Sequence, residues 1–251
     1  MTFSRWRAAG NEYLLAERAE LGAPLTPERV RAEVGGSDGI LEIVAVAGRE
    51  AEIVIWNPDG STAELSGNGT RIVARWVADR SGSGDVTVRV GDRTVAARLL
   101  PDGEIEQDVG TVEVYERERV AGLQVIPVSV GNPHAVIRRE PDRDELLRLG
   151  PLVENHARFP ERTNVQLVRV EGLNEVTVGV WERGAGETLS SGTSAVAVAG
   201  AAVRHGWCES PVTVHLAGGD LVVTIDEAMN AGLVGPAEEI CRLELSEELE
   251  L

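Results

Sequence analysis

The stretch Trp181–Glu182–Arg183–Gly184–Ala185–Gly186–Glu187–Thr188–Leu189–Ser190–Ser191–Gly192–Thr193–Ser194 decides how the chain is read. Before it, residues 175–181 alternate apolar and polar side chains, the mark of a half-buried strand. After it, residues 195–203 are Ala and Val apart from Gly200, as in a helix buried on all sides. A strand therefore runs through a polar, Gly-rich loop into Ser-Gly and a buried helix. The same grammar occurs upstream. Ser66–Gly67–Asn68–Gly69 precedes a helical pattern carried by Ile72, Val73, Trp76 and Val77. The offset from 66 to 191 is 125, and that from Gly10–Asn11 to Gly131–Asn132 is 121. Ser is a favoured N-cap and Gly a favoured turn residue, so either turn alone needs no functional reading. Two in register, each flanked by Asn and charges, predict two similar halves joined around residues 110–122. The two Ser-Gly turns are then expected to face each other across a cleft.

Working outward, most other segments read as short strands. They are 41–48, 51–57, 85–100, 123–132, 164–172, 175–184, 212–227 and the tail after Gly235. Hairpins are expected at Val90–Gly91–Asp92–Arg93 and from Leu216 to Asp220. Helices are expected after the Thr26–Pro27 start, over 70–79, over 142–149 and over 194–205. Asn155, His156 and Arg158 read as loop residues. Glu247, Glu248 and Glu250 read as a solvated acidic terminus.

Composition excludes several chemistries. All 24 basic residues are Arg, and no Lys occurs. Pyridoxal phosphate enzymes and Schiff-base aldolases need a Lys amine, and a Walker A loop needs its Lys. Aromatics are only 4%, so aliphatic side chains and Ala must fill the core. The net charge of -17 repels nucleic acid and anionic membrane, so neither is an expected partner. Two Cys and four His show no ligand spacing, so no metal site and no disulfide framework are expected. The start of the chain has no apolar run after its charges, and no segment approaches the roughly 20 apolar residues of a membrane span. These features point to the cytoplasm.

What remains is the chemistry of helix N-termini. Their first backbone N–H groups lack internal partners and bind anions, helped by the helix dipole. Two such termini aimed at one point suit a carboxylate. They also stabilise negative charge beside it, as when an amino acid loses its α-proton.

At this point the chain resembles the diaminopimelate epimerase family, of the cofactor-independent amino-acid racemases and epimerases. That family's Gly-Asn-Asp-Phe stands here as Gly10–Asn11–Glu12–Tyr13. Its Asn-x-Asp-Gly-Ser…Cys-Gly-Asn-Gly stands as Asn57–Pro58–Asp59–Gly60–Ser61 and Ser66–Gly67–Asn68–Gly69. Its Gly-Asn-Pro-His is Gly131 to His134, and its Phe-Pro-Glu-Arg-x-Asn is Phe159 to Asn164. Its Glu-Arg-Gly-x-Gly-Glu-Thr-x-x-Cys-Gly-(Ser/Thr)-Gly is Glu182 to Ser194, and the matches run from residue 10 to about 200, with Gly235–Pro236–Ala237 also familiar. The resemblance implies an α+β fold of two pseudo-symmetric domains, each a curled, mostly antiparallel sheet around a central helix. The domains would be residues 1–115 with the strand 235–251, and residues 116–234. It implies interconversion of LL- and meso-diaminopimelate for lysine biosynthesis, by two opposed thiols, without a cofactor, in a homodimer. Position by position, Asn11, Asn57, Asn132, Asn164, Glu182 and Arg183 would hold the amino-acid substrate. Gly67, Asn68, Gly192 and Thr193 would take its reacting carboxylate. His134 and Glu187 would support the site.

Both thiol positions are Ser here, Ser66 and Ser191, and the two Cys lie outside every motif. A thiol has a pKa near 8.5, and a Ser hydroxyl sits roughly five pKa units higher. Forming the base then costs roughly 7 kcal/mol more, or about 10⁵ in rate without compensation. An adjacent general base would compensate, and His134 and Glu182 are the neighbours that the family pattern offers. Two further departures are Ser194, where the family has Gly, and the altered loop Val34–Gly35–Gly36–Ser37–Asp38–Gly39. Three accounts fit the serines: thiols replaced by mutagenesis, a natural relative that binds a ligand or does other chemistry, or an epimerase with activated serines. Ser191 as an acyl-transfer nucleophile does not fit, since Leu189 to Thr193 is not the Gly-x-Ser-x-Gly elbow.

Overall fold

A computed structural model describes residues 2–244; the acidic terminus at Glu247, Glu248 and Glu250 lies outside them. The chain divides into two compact units, one made of residues up to Gln107 with those from Gly235 on, the other of residues 108–234. The division falls somewhat before the boundary read from the sequence.

The first unit is built from β1 (Thr2–Ala8), β2 (Asn11–Glu17), α1 (Pro27–Glu33), β3 (Gly39–Ala47), β4 (Glu50–Trp56), β5 (Thr62–Ala63), α2 (Gly67–Ser81), β6 (Asp85–Val90), β7 (Arg93–Leu99) and β8 (Ile105–Thr111), the last running across the division. Its pairings are antiparallel for β1/β2, β3/β4, β4/β5, β6/β7 and β7/β8. They are parallel for β2/β3 and β4/β6, whose crossovers are α1 and α2. The second unit contains β9 (Glu113–Val114), β10 (Glu118–Val120), β11 (Leu123–Ser129), β12 (Pro133–Arg138), α3 (Arg143–Glu154), β13 (Asn164–Val170), β14 (Glu175–Glu182), β15 (Gly186–Thr188), α4 (Gly192–Arg204), β16 (Val212–Leu216), β17 (Gly219–Ile225) and β18 (Asn230–Gly235). Here β11/β12, β13/β14, β14/β15, β16/β17 and β17/β18 are antiparallel. The parallel pairs are β12/β13 and β14/β16, crossed over by α3 and α4. The two units thus repeat one succession of pairings. The final strand β19 (Glu238–Glu244) pairs antiparallel with β1 and completes the first unit.

Each sheet curls around one helix. Strands β1, β4, β6 and β7 all pack on α2, and β11, β12, β13, β16 and β17 all pack on α4. Ala195 to Ala199, Ala201 and Ala202 are fully buried, so small side chains suffice where aromatics are scarce. Gly200 belongs to this close packing, because a Cβ there would come 2.8 Å from Val112. The smaller helices cover the outer faces. Val30 and Val34 join Phe3, Leu14, Leu21, Leu25 and Ile40, and Leu146, Leu149 and Val153 join Val125, Phe159 and Leu167.

Both expected hairpins form, with Val90 opposite Arg93 and Leu216 opposite Gly219. Three departures have physical causes. β1 escapes a period-two reading because its pairing with β19 shifts register between Arg5 and Trp6. β2 and β12 escape it because Tyr13–Ala16 and His134–Ile137 are buried on both faces, each beside a parallel neighbour. α3 runs past Gly150–Pro151, a pair that usually ends a helix, to Glu154. Gly150 is needed there: a Cβ would sit 2.4 Å from the Trp181 ring, which lies flush on the helix.

Candidate active site

In the first unit, Ser66 is the N-cap of α2. Its Oγ accepts the Gly69 N–H at 3.0 Å, one of the unpartnered donors of the first turn. Gly69 suits this close turn: a Cβ there would lie 2.9 Å from the Leu41 side chain and 3.3 Å from Ser66 Oγ, so Leu41 would have to move. The Tyr13 hydroxyl lies 3.1 Å from the same Oγ, sharing a proton in either direction. Beside them, Asn68 Nδ2 donates to Asn11 Oδ1 at 2.6 Å, and the guanidinium of Arg71 donates to Asn68 Oδ1. Arg71 is fully buried, and its Nε and Nη1 have no partner. Burial pushes its pKa down to about 10, against the opposing pull of Glu104 and Tyr13. Asn57 heads its own turn, donating from Nδ2 to Ser61 Oγ at 2.9 Å. It bonds to none of Asn11, Ser66 and Asn68.

In the second unit, Ser191 caps α4 and accepts from the Ser194 N–H at 3.4 Å. Ser194, a departure from the family pattern, is fully buried yet satisfied: its Oγ accepts from Gln166 Nε2 at 3.0 Å. The same amide faces His134 Nδ1 at 3.0 Å, and His134 Nε2 faces Asn132 Oδ1 at 2.9 Å. With the amide so placed, the imidazole carries its proton on Nε2. Burial, then the charge of Arg183, holds the His134 pKa down to about 3, with the Gln166 bond opposing. The ring is therefore neutral at physiological pH. Asn164 Oδ1 accepts the Arg183 N–H at 2.9 Å while its Nδ2 donates to the Pro133 carbonyl at 2.9 Å. Asn132, His134, Asn164 and Arg183 are thereby gathered at the ends of β12, β13 and β14.

The loop between β14 and α4 is tied at three points. Glu182 accepts from Thr188 Oγ1 at 2.7 Å; desolvation raises its carboxyl pKa despite that bond. Glu187 takes the Arg143 guanidinium through both oxygens, which fixes β15 to the start of α3. Buried Glu154, at the end of α3, accepts the Trp181 indole at 2.7 Å, the Gly184 N–H at 2.8 Å and Arg162 at 3.3 Å. In the first unit, buried Glu42 likewise accepts an indole, that of Trp56 at 2.9 Å, together with the Arg18 guanidinium at 2.7 Å.

Sequence reading missed Glu154, Gln166, Arg71 and the Tyr13 hydroxyl. Only Tyr13 lay within a motif that could have drawn notice. Neither His134 nor Glu182 bonds to Ser191. Cys208 is buried and Cys241 exposed, both free and outside these networks. Among the described residues no group of three or more His, Cys, Asp or Glu could hold a metal ion, and no helix is long and apolar enough to cross a membrane.

The family model for diaminopimelate epimerase matches residues 126–239. A diaminopimelate epimerase 2 of Nostoc sp. is 32% identical over 99% of this chain and 97% of its own length. The diaminopimelate epimerase of Paraburkholderia phytofirmans is 36% identical over 91% of this chain and 87% of its own. Among solved structures, a predicted epimerase from Pseudomonas aeruginosa superimposes with a TM-score of 0.73, covering 97% of this chain and 98% of that one. Its 16% identity makes that a likeness of fold.

Proposed function

We propose, from the premise that the chain belongs to the diaminopimelate epimerase family, that it inverts the α-carbon of LL-diaminopimelate to give the meso form. The observation that carries this reading is the repeated device: a Ser-capped helix N-terminus with unpartnered first-turn N–H groups in each unit. In this reading Ser66 and Ser191 face opposite sides of the substrate α-carbon. One serine oxygen, its own proton given up beforehand or in the same step, takes the α-proton as the C–H bond breaks, and the electron pair spreads into the carboxylate. The N–H groups at Gly67, Asn68, Gly192 and Thr193 stabilise that charge. The other hydroxyl returns a proton on the opposite face. Asn11, Asn57, Asn132, Asn164, Glu182 and Arg183 hold the substrate, with Arg183 offering a bidentate fork to the distal carboxylate. His134, neutral and hydrogen-bonded, orients Asn132. Glu187 holds the loop. Absence of Lys from the sequence makes the chemistry independent of pyridoxal phosphate. The reading places the protein in the cytoplasm as a homodimer supplying lysine biosynthesis.

A ligand-binding role without turnover is the second reading. It is favoured by Ser191, whose Oγ among the described residues bonds to the Ser194 N–H alone. Incubation with LL-diaminopimelate in D₂O separates the two. Deuterium at the α-carbon with appearance of the meso form is expected, and binding without exchange would establish the second reading.

A further inference from the structure

We propose that Tyr13 is the proton-relay partner of Ser66, so that the two hydroxyls act as one acid–base unit. This rests on the reading that Ser66 takes and returns the substrate α-proton. The geometry carries it. Tyr13 OH and Ser66 Oγ are 3.1 Å apart, a distance at which a proton passes directly between oxygens. Ser66 Oγ is fixed by the Gly69 N–H at 3.0 Å, which takes up one lone pair and leaves the hydroxyl proton to Tyr13 or to the substrate. The Tyr13 ring is buried and held across Gly39 of β3, where a Cβ would lie 3.1 Å from the ring and 2.3 Å from the Trp56 carbonyl. The ring thus packs closely on β3, with its hydroxyl directed at the Ser66 oxygen.

A phenol with an ordinary pKa near 10 holds negative charge far more readily than an alkyl hydroxyl. In the forward step, Ser66 Oγ forms a bond to the α-proton while its own proton passes to the Tyr13 phenolate. The C–H and Ser O–H bonds break, the new Ser O–H and Tyr O–H bonds form, and the electron pair stays on the substrate. No alkoxide is formed. The reverse step carries the proton from Tyr13 through Ser66 to the carbanion. The charge needed to support a phenolate is at hand. Arg71 is a buried cation within electrostatic reach of Tyr13, with Nε and Nη1 unpartnered, and Glu104 is the acidic group acting on it. In the resembled family's motif the residue at Tyr13 is Phe and that at Ser66 is Cys. Two departures meet in one hydrogen bond.

The test is α-proton exchange on diaminopimelate in D₂O by the parent chain, Tyr13→Phe, Ser66→Cys and the double variant, each across pH. Tyr13→Phe should lower exchange by about 10²-fold or more while the calorimetric Kd stays within about threefold. It should also remove from the pH–rate profile the ionisation belonging to the Tyr13–Ser66 pair. Ser66→Cys should rescue Tyr13→Phe by a similar factor, because a thiol forms its own base. Tyr13→Phe exchanging within about threefold of an active parent would overturn the relay and leave the epimerase reading standing. Failure of Ser66→Cys to rescue would show that the phenol acts only through packing, and would overturn the relay as well. A parent chain that binds diaminopimelate without exchanging it would overturn the relay together with the reading it rests on.

Discussion

Replacing Glu154 by Gln should loosen the loop that carries Glu182, Arg183 and Glu187, although Glu154 lies outside every motif. Glu154 is 4% exposed, and its carboxylate takes three donors, Trp181 Nε1, Gly184 N and Arg162 Nη1. A hydrogen bond to a charged group contributes about 1.5–3 kcal/mol. The Gln amide keeps one acceptor oxygen and turns an NH₂ toward either the indole or the Gly184 N–H. One strong bond becomes a donor–donor clash, and the other loses its charge. Gly184 and Arg162 are exposed enough to regain water, so their share is partly recovered. The partly buried indole recovers less. The expected loss is about 2 kcal/mol, roughly a 30-fold shift in the unfolding equilibrium. Urea denaturation followed by circular dichroism would show a lower midpoint at unchanged slope. Affinity for diaminopimelate should fall with it, as the Arg183 backbone loses its fixed neighbour. A stability within about 0.5 kcal/mol of the parent would refute the assignment of Glu154 as the anchor of this loop.

Three further outcomes are expected. Ser191→Cys should raise α-proton exchange more than Ser66→Cys does, because Ser66 has the Tyr13 hydroxyl beside it and Ser191 has a backbone N–H alone; the double change should exceed the product of the two, as for residues acting as a unit. His134 has a folded pKa held at about 3, against about 6.5 when unfolded, so the unfolded chain binds the proton first. The stability it contributes is complete above about pH 6.5 and is lost as pH falls toward 3, at up to about 1.4 kcal/mol per pH unit. His134→Gln should flatten that slope in urea titrations at pH 7, 6 and 5, and an unchanged slope would count against it. Arg183→Ala should weaken diaminopimelate binding about 10- to 100-fold by calorimetry, as removal of a charged hydrogen-bonding fork does, with unchanged affinity contradicting the assignment.

The site was legible where its chemistry is local. A Ser N-cap is written within four residues, so Ser66 and Ser191 stood out, and both head their helices as read. The repeat was legible because a doubled chain keeps its offsets. Glu154 was not, because its partners come from 8, 27 and 30 residues away, and an isolated Glu in a helix is ordinarily a surface residue. Gln166 was hidden inside a strand whose apolar neighbours suggested only core. Strands β2 and β12 were missed because burial on both faces erases alternation, though each leads out of a Gly-Asn pair that the sequence reading had marked. The Tyr13 hydroxyl needed the fold, since 53 residues separate it from Ser66.

The pairing of β19 with β1 sets an order of assembly on the ribosome. Residues 108–234 are contiguous, so everything the second unit needs has been made before β19 is translated. The first unit has no such independence: one side of β1 is taken by β2, but the other waits for Glu238–Glu244, which are translated after the whole of the second unit. Until then β1 offers a row of open backbone donors and acceptors, with Phe3 and Trp6 beside them, the kind of edge on which nascent chains stick to one another. The protein made first is thus sealed last, and a chain cut short before residue 238 carries an unsealed edge however well the rest of it has folded.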